Sequence, residues 1–595
     1  MRISMMGTSN AGGAGRAMMR LAEGLIANGH ECNVFVKSKI GNSGYVYQTK
    51  ELCPMLDDLI GNFFNKNVYP GRTLMSAMYS GAEFSFEKEL LSSDIIHFHW
   101  VANFVSPEFM ARLNLLGKPL IWTMHDMNPM SGGCHCIYDC DNYINKGCHY
   151  CPQLRYNPYD ITSSMLSLKV KYIPKDMLIV SPSRKLAERA RRSAVFKEHR
   201  IEVIPNSVEL DVFHPYVKGE AKARLGVHQD CKLLLYGAEI HTQIHKGFDH
   251  FINALRYICE RTDLARLKQQ GKLKLLLVGR PSPESEKLFD ELGLEYISLG
   301  YLHDDNELAQ AYSAADVAVL SSIEDNLPNM MLEALACGTP VVGFRTGGIP
   351  DIVKDGYNGY VAEWGNDESL GDSIVFAVAN AEYLQANCRP FAEIYLNQKS
   401  QALAYQALYE DLLLMPGRVE PVPQKSELSV ESLRAFGPYL WEELKIAQSI
   451  HQKGGWAEIL LESNKFVGRL LKTVSSFLQR EPYEPGTLAL YGAGRNASDL
   501  LSCLKYPCHA LRGIFDKKLS ASEAFCGYPV LDMKRIEEYG LQAVLITSLK
   551  YEQEIAEELA ALPEKGIYVI RLSDIYVMDR LNKRTGDFAR RFVTS

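Results

Sequence analysis

Long apolar runs are missing from this chain of 595 residues. No segment approaches the roughly 18 consecutive apolar residues that a membrane-spanning helix needs, so none is expected. The N-terminal MRISMMGTSNAGGAG has a five- to six-residue apolar run before a Gly-rich turn. That is short of the about 7–15 residues of a secretory h-region, and it reads as the first strand of a cytoplasmic protein. An excess of positive charge is missing too. Lys and Arg number 64 against 71 Asp and Glu, for a net charge of -7. Bulk charge therefore gives no hold on nucleic acid, and no nucleic-acid partner is expected. Fourteen cysteines are too sparse for a disulfide scaffold. Fixed-period repeats and low-complexity tracts are absent. What remains is ordinary globular composition, 47% hydrophobic and 23% charged. At about 150 residues per domain the length suggests roughly four units.

Short apolar strands alternate with helical spacing along most of the chain, the pattern of parallel, doubly wound α/β sheets. Residues 1–6, 32–36, 95–98, 120–124 and 177–181 are the strands of a first unit, 1–205. Met18, Leu21, Leu25 and Ile26 recur at helical spacing between the first two. A second unit, 206–395, has strands at 233–236, 273–278, 296–299, 317–320 and 341–344. Residues 396–415 read as a closing helix. A Pro-rich linker then opens a helical segment, 416–485. A third, small α/β unit follows at 486–577, and 578–595 is a basic, loosely attached tail.

The richest segment is SSIEDNLPNMMLEALACGTPVV, residues 321–342. A strand runs into a loop of Asp, Asn and Pro, and a helix starts near Asn329. Such a helix start presents unpaired N–H groups and partial positive charge, and favours an anion. Asp325 and Glu333 are eight residues apart, with Glu324 directly before Asp325. Acid-x7-acid, followed by EALACGTPVV and TGG, resembles the donor-binding element of retaining glycosyltransferases of family 4. Their fold is GT-B, two Rossmann-like domains facing a cleft. The resemblance covers about residues 1–415. It implies that the first acid touches the donor sugar hydroxyls and that Glu333 holds the ribose. The family usually has Glu at the first acid; here Asp325 or its neighbour Glu324 could take that place. The backbone of Asn326, Leu327, Pro328 and Asn329 would face the diphosphate.

Three further elements carry the same resemblance. In HTQIHKGFD, residues 241–249, Lys246 matches the Lys that neutralises the leaving diphosphate. The family often has Arg just before it. This chain has His245, whose imidazole compensates less at neutral pH, so either Lys246 serves as the one firm cation or Arg280 supplies a second. The N-terminal GTSNAGGAG turn would set Gly13 and Ala14 across the cleft from the diphosphate, where glycines allow close backbone approach. A dinucleotide fingerprint there lacks its acid, because Lys37 follows the next strand. His125, in WTMHD at a strand end, matches a His that contacts the donor sugar. His97 and His99 are expected at the same cleft edge.

Two features stand apart. Five cysteines crowd into CHCIYDCDNYINKGCHYC, residues 134–151. Cys148-x2-Cys151 has metal-ligand spacing, and Cys134 or Cys136 with Cys140 would complete a closed, structural four-thiolate zinc site. Gly492, Gly494 and Ala497 form G-x-G-x-x-A after an apolar run, and Asp516 lies 22 residues after Gly494. That is the arrangement of a nucleotide-binding βαβ unit. A basic stretch, 184–200, is able to touch an anionic membrane surface.

The expected protein is therefore a retaining hexosyltransferase that needs no cofactor for catalysis. Its donor would be a UDP- or GDP-sugar and its acceptor a saccharide or lipid-linked sugar, in polysaccharide or glycoconjugate biosynthesis. It would be cytoplasmic and peripheral to the inner face of the membrane. The alternative is an NAD(P)-dependent sugar-nucleotide oxidoreductase built on residues 486–577.

Overall fold

The computed structural model describes residues 1–414 apart from 52–60, 62, 71, 79–81, 84–86, 115, 146, 156, 158–159 and 241–243. Beyond them it describes only parts of 488–571. Two compact units result, one of residues 1–157 and 162–422 and one of residues 158–161 and 423–595.

The first unit opens with β1 (Arg2–Ser9), α1 (Gly12–Ala27), β2 (Glu31–Ser38) and β3 (Val46–Gln48). Next come β4 (Ile95–Phe98), β5 (Leu120–Thr123), β6 (Leu178–Ser181), α2 (Arg184–Arg192) and β7 (Ile201–Val203). These strands form one parallel sheet ordered β3-β2-β1-β4-β5-β6-β7. The central β4, β5 and β6 are buried along their whole length, which is why their sequences are continuous apolar runs and do not alternate.

A second parallel sheet follows in the same unit. Its strands are β8 (Lys232–Ile240), β9 (Leu273–Arg280), β10 (Glu295–Ser298), β11 (Val317–Leu320), β12 (Val341–Phe344) and β13 (Gly359–Ala362). The order is β10-β9-β8-β11-β12-β13. Helix α3 (Phe248–Arg261) follows β8, and α4 (Asn329–Ala336) follows β11. Each sheet reverses its strand order once, between β1 and β4 and between β8 and β11. Ligands of open parallel sheets bind at the carboxyl ends of strands at such points. This pair of Rossmann-like sheets is the GT-B architecture expected from the sequence.

The last described helix of the first unit, α5 (Gln398–Leu414), returns to the first sheet. Ala402, Tyr405 and Tyr409 are buried in one apolar cluster with Ile3, Leu21, Leu25, Ile121 and Val180. The Tyr409 hydroxyl meets His97 Nδ1 at 2.8 Å, and Tyr405 meets Thr123 Oγ1 at 2.8 Å. His97, expected at the cleft edge, is instead an interior side chain that ties β4 to α5. Its other ring nitrogen is 2.8 Å from Thr123 Oγ1.

The second unit contains β14 (Leu488–Tyr491), β15 (Leu511–Phe515), β16 (Ala543–Ile546) and β17 (Tyr568–Arg571). They form a parallel sheet ordered β15-β14-β16-β17. Asp516 directly follows β15. Gly492, Gly494 and Ala497, the helical segment 416–485 and the tail 578–595 lie outside the described residues. Among the described residues no helix is long and apolar enough to cross a membrane.

Candidate functional site

The site is built where β11 ends. Ser321 and Ser322 are buried there and the chain turns through Ile323 to Pro328 into α4. Pro328 caps α4 without a side-chain hydrogen bond. A Pro supplies no capping oxygen, so the partial positive charge of the helix start is left for another anion. Asp325 lies in this turn. Its Oδ2 meets Lys246 Nζ at 2.6 Å, and its Oδ1 accepts the Asn326 N–H at 2.9 Å. Sequence reasoning named Lys246 and Asp325 separately; the fold brings them together from 79 positions apart.

Lys246 is held there by backbone stitching. Ser321 Oγ donates to the Lys246 carbonyl at 2.9 Å, and the Ile323 N–H to the His245 carbonyl at 3.0 Å. The approach is so close that a Cβ on Gly247, at φ +67°, would meet the Ser321 carbonyl oxygen at 1.8 Å. Burial, and then the neighbouring Lys246, lower the His245 imidazole to about 4. It is therefore neutral at pH 7, and Lys246 is the firm cation of the pair. Arg280 is exposed and stacks over the Tyr301 ring at 5.5 Å.

The two acids of the loop face different ways. Both terminal guanidinium nitrogens of Arg189, on α2, hydrogen-bond the Glu324 carboxylate. Glu324 is thus spoken for by the first sheet's domain, and Asp325 is the carboxylate beside Lys246. Asn326 donates from Nδ2 to the His125 carbonyl at 3.1 Å and accepts the Ser183 hydroxyl at 2.6 Å. Asn329 Nδ2 donates to the Gly13 carbonyl at 3.2 Å, so the Gly-rich turn does face the start of α4. Ala14 beside it is half-buried. The Leu327 side chain packs into the apolar core of the second sheet.

Glu333 is 3% exposed. Its Oε2 accepts the Tyr312 hydroxyl at 3.0 Å and its Oε1 accepts Arg20 Nη2 at 2.9 Å. Arg20 projects from α1, is wholly buried, and also meets Glu209 Oε2 at 2.5 Å. Burial raises the Glu209 carboxyl above its ordinary value against the pull of Arg20. A carboxylate has room for about four acceptor bonds, so Glu333 keeps capacity beyond these two.

His125 is half-buried, with Nε2 3.1 Å from His99 Nδ1. Burial lowers His125 to about 4 and His97 to about 3, and holds His99 well below its ordinary value. All three are neutral at pH 7. Next to His125, Asp126 accepts Trp100 Nε1 and His135 Nδ1 on Oδ2, each at 2.6 Å, and the Asn128 N–H on Oδ1. Lys169, buried beneath this turn, donates to the Asn128 and Ser131 carbonyls at 2.5 and 2.9 Å.

In the cysteine loop, Cys134 lies within electrostatic reach of Cys140, Cys148 and Cys151, and Cys148 of Cys140 and Cys151. Cys136 instead lies near Glu324, Asp126 and Asp325. Burial raises the Cys134 thiol well above its ordinary value and Cys148 to about 12. Among the described residues no group of three or more His, Cys, Asp or Glu is placed to hold a metal ion.

Sequence reasoning missed Arg20, Glu209, Tyr312 and Arg189. Arg20 did leave a signal, since it sits on the α1 stripe between Ala17 and Gly24, both buried. Arg189 lies in the basic stretch 184–200, which gave no hint of its partner, and Glu209 and Tyr312 carry no local pattern, because their partners are distant in sequence.

Two family models match the chain: Glycosyltransferase Family 4 over residues 11–212 and Glycosyl transferases group 1 over residues 231–380. A D-inositol 3-phosphate glycosyltransferase of Geodermatophilus obscurus is 29% identical over 271 residues, 42% of this chain and 59% of the relative. The chain thus spans under two thirds of that relative's length. One of Xylanimonas cellulosilytica is 27% identical over 373 residues, 60% of this chain and 81% of the relative. Among solved structures, a sucrose-phosphate synthase from Thermosynechococcus elongatus aligns with 69% of this chain and 98% of its own, at 20% identity and a TM-score of 0.49.

Proposed function

The chain belongs to the glycosyltransferases of family 4, and from that premise we propose that it moves a hexose from a UDP- or GDP-sugar to a saccharide or lipid-linked acceptor with retention. The observation that carries this reading is the Lys246–Asp325 pair, 2.6 Å apart, in the turn that leads into the uncapped start of α4. Asp325 accepts hydroxyls of the donor sugar, and Lys246 and the helix start receive the diphosphate. Asn329 and Gly13 close the same space from the two sheets. The half-buried, neutral His125 offers a ring nitrogen to the sugar, and Glu333 uses its remaining acceptor capacity on the ribose.

As the sugar–phosphate bond breaks, its electron pair stays on the diphosphate oxygen. Lys246 and the α4 N–H groups are already in place to meet that charge, which is worth more than a contact formed only afterwards. The acceptor oxygen bonds to the anomeric carbon from the side the diphosphate leaves, and its proton ends on the released diphosphate. Placement in polysaccharide or glycoconjugate synthesis, and contact with a membrane surface through the exposed Arg184, Lys185, Arg191 and Arg192, belong to the same proposal.

The test is slow hydrolysis of UDP-glucose, UDP-N-acetylglucosamine and GDP-mannose by the full chain. Lys246→Ala should lower kcat/KM by at least about tenfold, because one preorganised donor of this kind is worth about 100- to 1000-fold. Lys246 is partly exposed, so the variant should keep its melting temperature. Unchanged turnover would remove Lys246 from the mechanism.

A further inference from the structure

We infer that Arg189 is a positioning residue: with Ser183 it clamps the acid loop on both sides of Asp325, so that the donor-sugar carboxylate is set only when the first sheet's domain closes on the second. The inference rests on the glycosyltransfer reading above and adds the residue on which sugar recognition depends.

The geometry is consecutive. Glu324, Asp325 and Asn326 follow one another in the loop after β11. The outer two are held by α2, which belongs to the other sheet. Arg189 takes Glu324 through both terminal guanidinium nitrogens. Ser183, the residue that caps α2, donates to Asn326 Oδ1 at 2.6 Å while accepting the Leu186 N–H. The Arg184 N–H adds a third tie, to Asp351 Oδ2 at 2.7 Å. Between these anchors the Asp325 side chain turns back to its own domain, onto Lys246.

A bidentate guanidinium–carboxylate pair fixes orientation as well as distance. Here the two side chains are 20% and 11% exposed, so water screens the pair less than it would a surface pair. A lysine could not replace the fork. Of the nucleotide-facing groups, Lys246, Glu333 and the start of α4 lie in the second domain, and Gly13 meets them from α1, away from α2. Loss of the clamp should therefore separate two things that bind together in the intact protein. The diphosphate would still be held, and the sugar would lose its fixed acid. A salt bridge serving stability alone would not divide the ligand this way.

The experiment uses the full chain with Arg189→Met, Glu324→Gln and the swap Arg189→Glu/Glu324→Arg. Titration with UDP and GDP reads the nucleotide half of the site. Hydrolysis of the nucleotide-sugar that the wild type cleaves reads the sugar half. Hydrogen exchange of the amides of residues 323–327, without ligand, reads the clamp itself. The expected result is unchanged diphosphate affinity, a fall in kcat of roughly tenfold or more, faster exchange across 323–327 in Arg189→Met, and partial recovery of both in the swap. Unchanged exchange and unchanged kcat in Arg189→Met would overturn the clamp. So would a diphosphate affinity that falls in step with kcat, or a loss that the swap does not recover. A wild type that binds neither UDP nor GDP, while Arg189→Met still releases 323–327, would overturn the glycosyltransfer reading and leave the clamp standing.

Discussion

The TGG turn supports the acid loop, and a single methyl group placed there should misalign the Lys246–Asp325 pair. Gly347 has φ +51°, and a Cβ on it would meet the Asp325 carbonyl oxygen at 1.7 Å and the Asn326 carbonyl oxygen at 2.8 Å. Gly348 beside it donates its N–H to Asn326 at 2.5 Å. An ordinary contact needs about 3.4 Å, so Gly347→Ala forces backbone near Asp325 to move by roughly 1.7 Å. Lys246 and Asp325 are 2.6 Å apart, and such a shift is enough to break their contact. A misplacement of about 1 Å can cost on the order of 100-fold in rate. The left-handed backbone itself costs about 1–2 kcal/mol for a non-glycine residue. Gly356→Ala is the control. It has φ +69° in the same domain, but the nearest atom to its Cβ is the Tyr360 hydroxyl at 4.0 Å. It should show the backbone penalty without the displacement. The assay is nucleotide-sugar hydrolysis alongside urea unfolding for both variants. We expect Gly347→Ala to lose about 10- to 100-fold in kcat/KM and Gly356→Ala to lose stability but little rate. Wild-type turnover in Gly347→Ala, or equal losses of rate in both, would refute the reasoning.

Arg20→Met strands the buried Glu333 and the half-buried Glu209 carboxylates and should cost about 3–5 kcal/mol in urea unfolding; a loss below about 1 kcal/mol would make the Arg20 pairs dispensable. His97, His125 and His245 have folded values of about 3, 4 and 4, below the usual 6.5. The unfolded chain therefore binds more protons between those values, and stability should be full above pH 6.5 and fall as pH drops toward 4. Each such group steepens the fall by up to about 1.4 kcal/mol per pH unit; unfolding free energies equal at pH 5 and pH 7 would contradict this. Metal analysis of the purified chain decides the zinc expectation. About one zinc per chain, whose chelation lowers the melting temperature, supports it; metal-free protein with the same melting temperature removes it.

Much of the first unit was legible in its sequence because buried parallel strands are apolar along their whole length. The stretches that became β4, β5, β6, β11 and β12 needed no partner to be recognised. The strands that escaped, β3, β7 and β13, lie at sheet edges. The sequence of β13, GYVA, opens with Gly, and only its two ends are buried. In the site, the acid loop and Lys246 carried local motifs. Which acid turns to Lys246 did not, because the answer lay in Arg189, 135 residues before Glu324. The same holds for Arg20, 313 residues from Glu333. Pairs closed by the fold over such spans leave no spacing to read. His97 was misplaced for a related reason, since its partner Tyr409 lies 312 residues further on. The G-x-G-x-x-A residues fall outside the described part of the second unit, which shows a parallel sheet with Asp516 at a strand end.

Helix α5 has a consequence for how the chain is made. Synthesis runs from the N-terminus, and domains tend to fold as they emerge. The first sheet, however, is not complete when its last strand, β7, leaves the ribosome. Its final layer, with Tyr405 and Tyr409 over His97 and Thr123, is translated only after every strand of the second sheet. The first domain must therefore wait with one face uncovered while the second is built, and the order of translation makes domain two a folding partner of domain one before the two ever share a ligand.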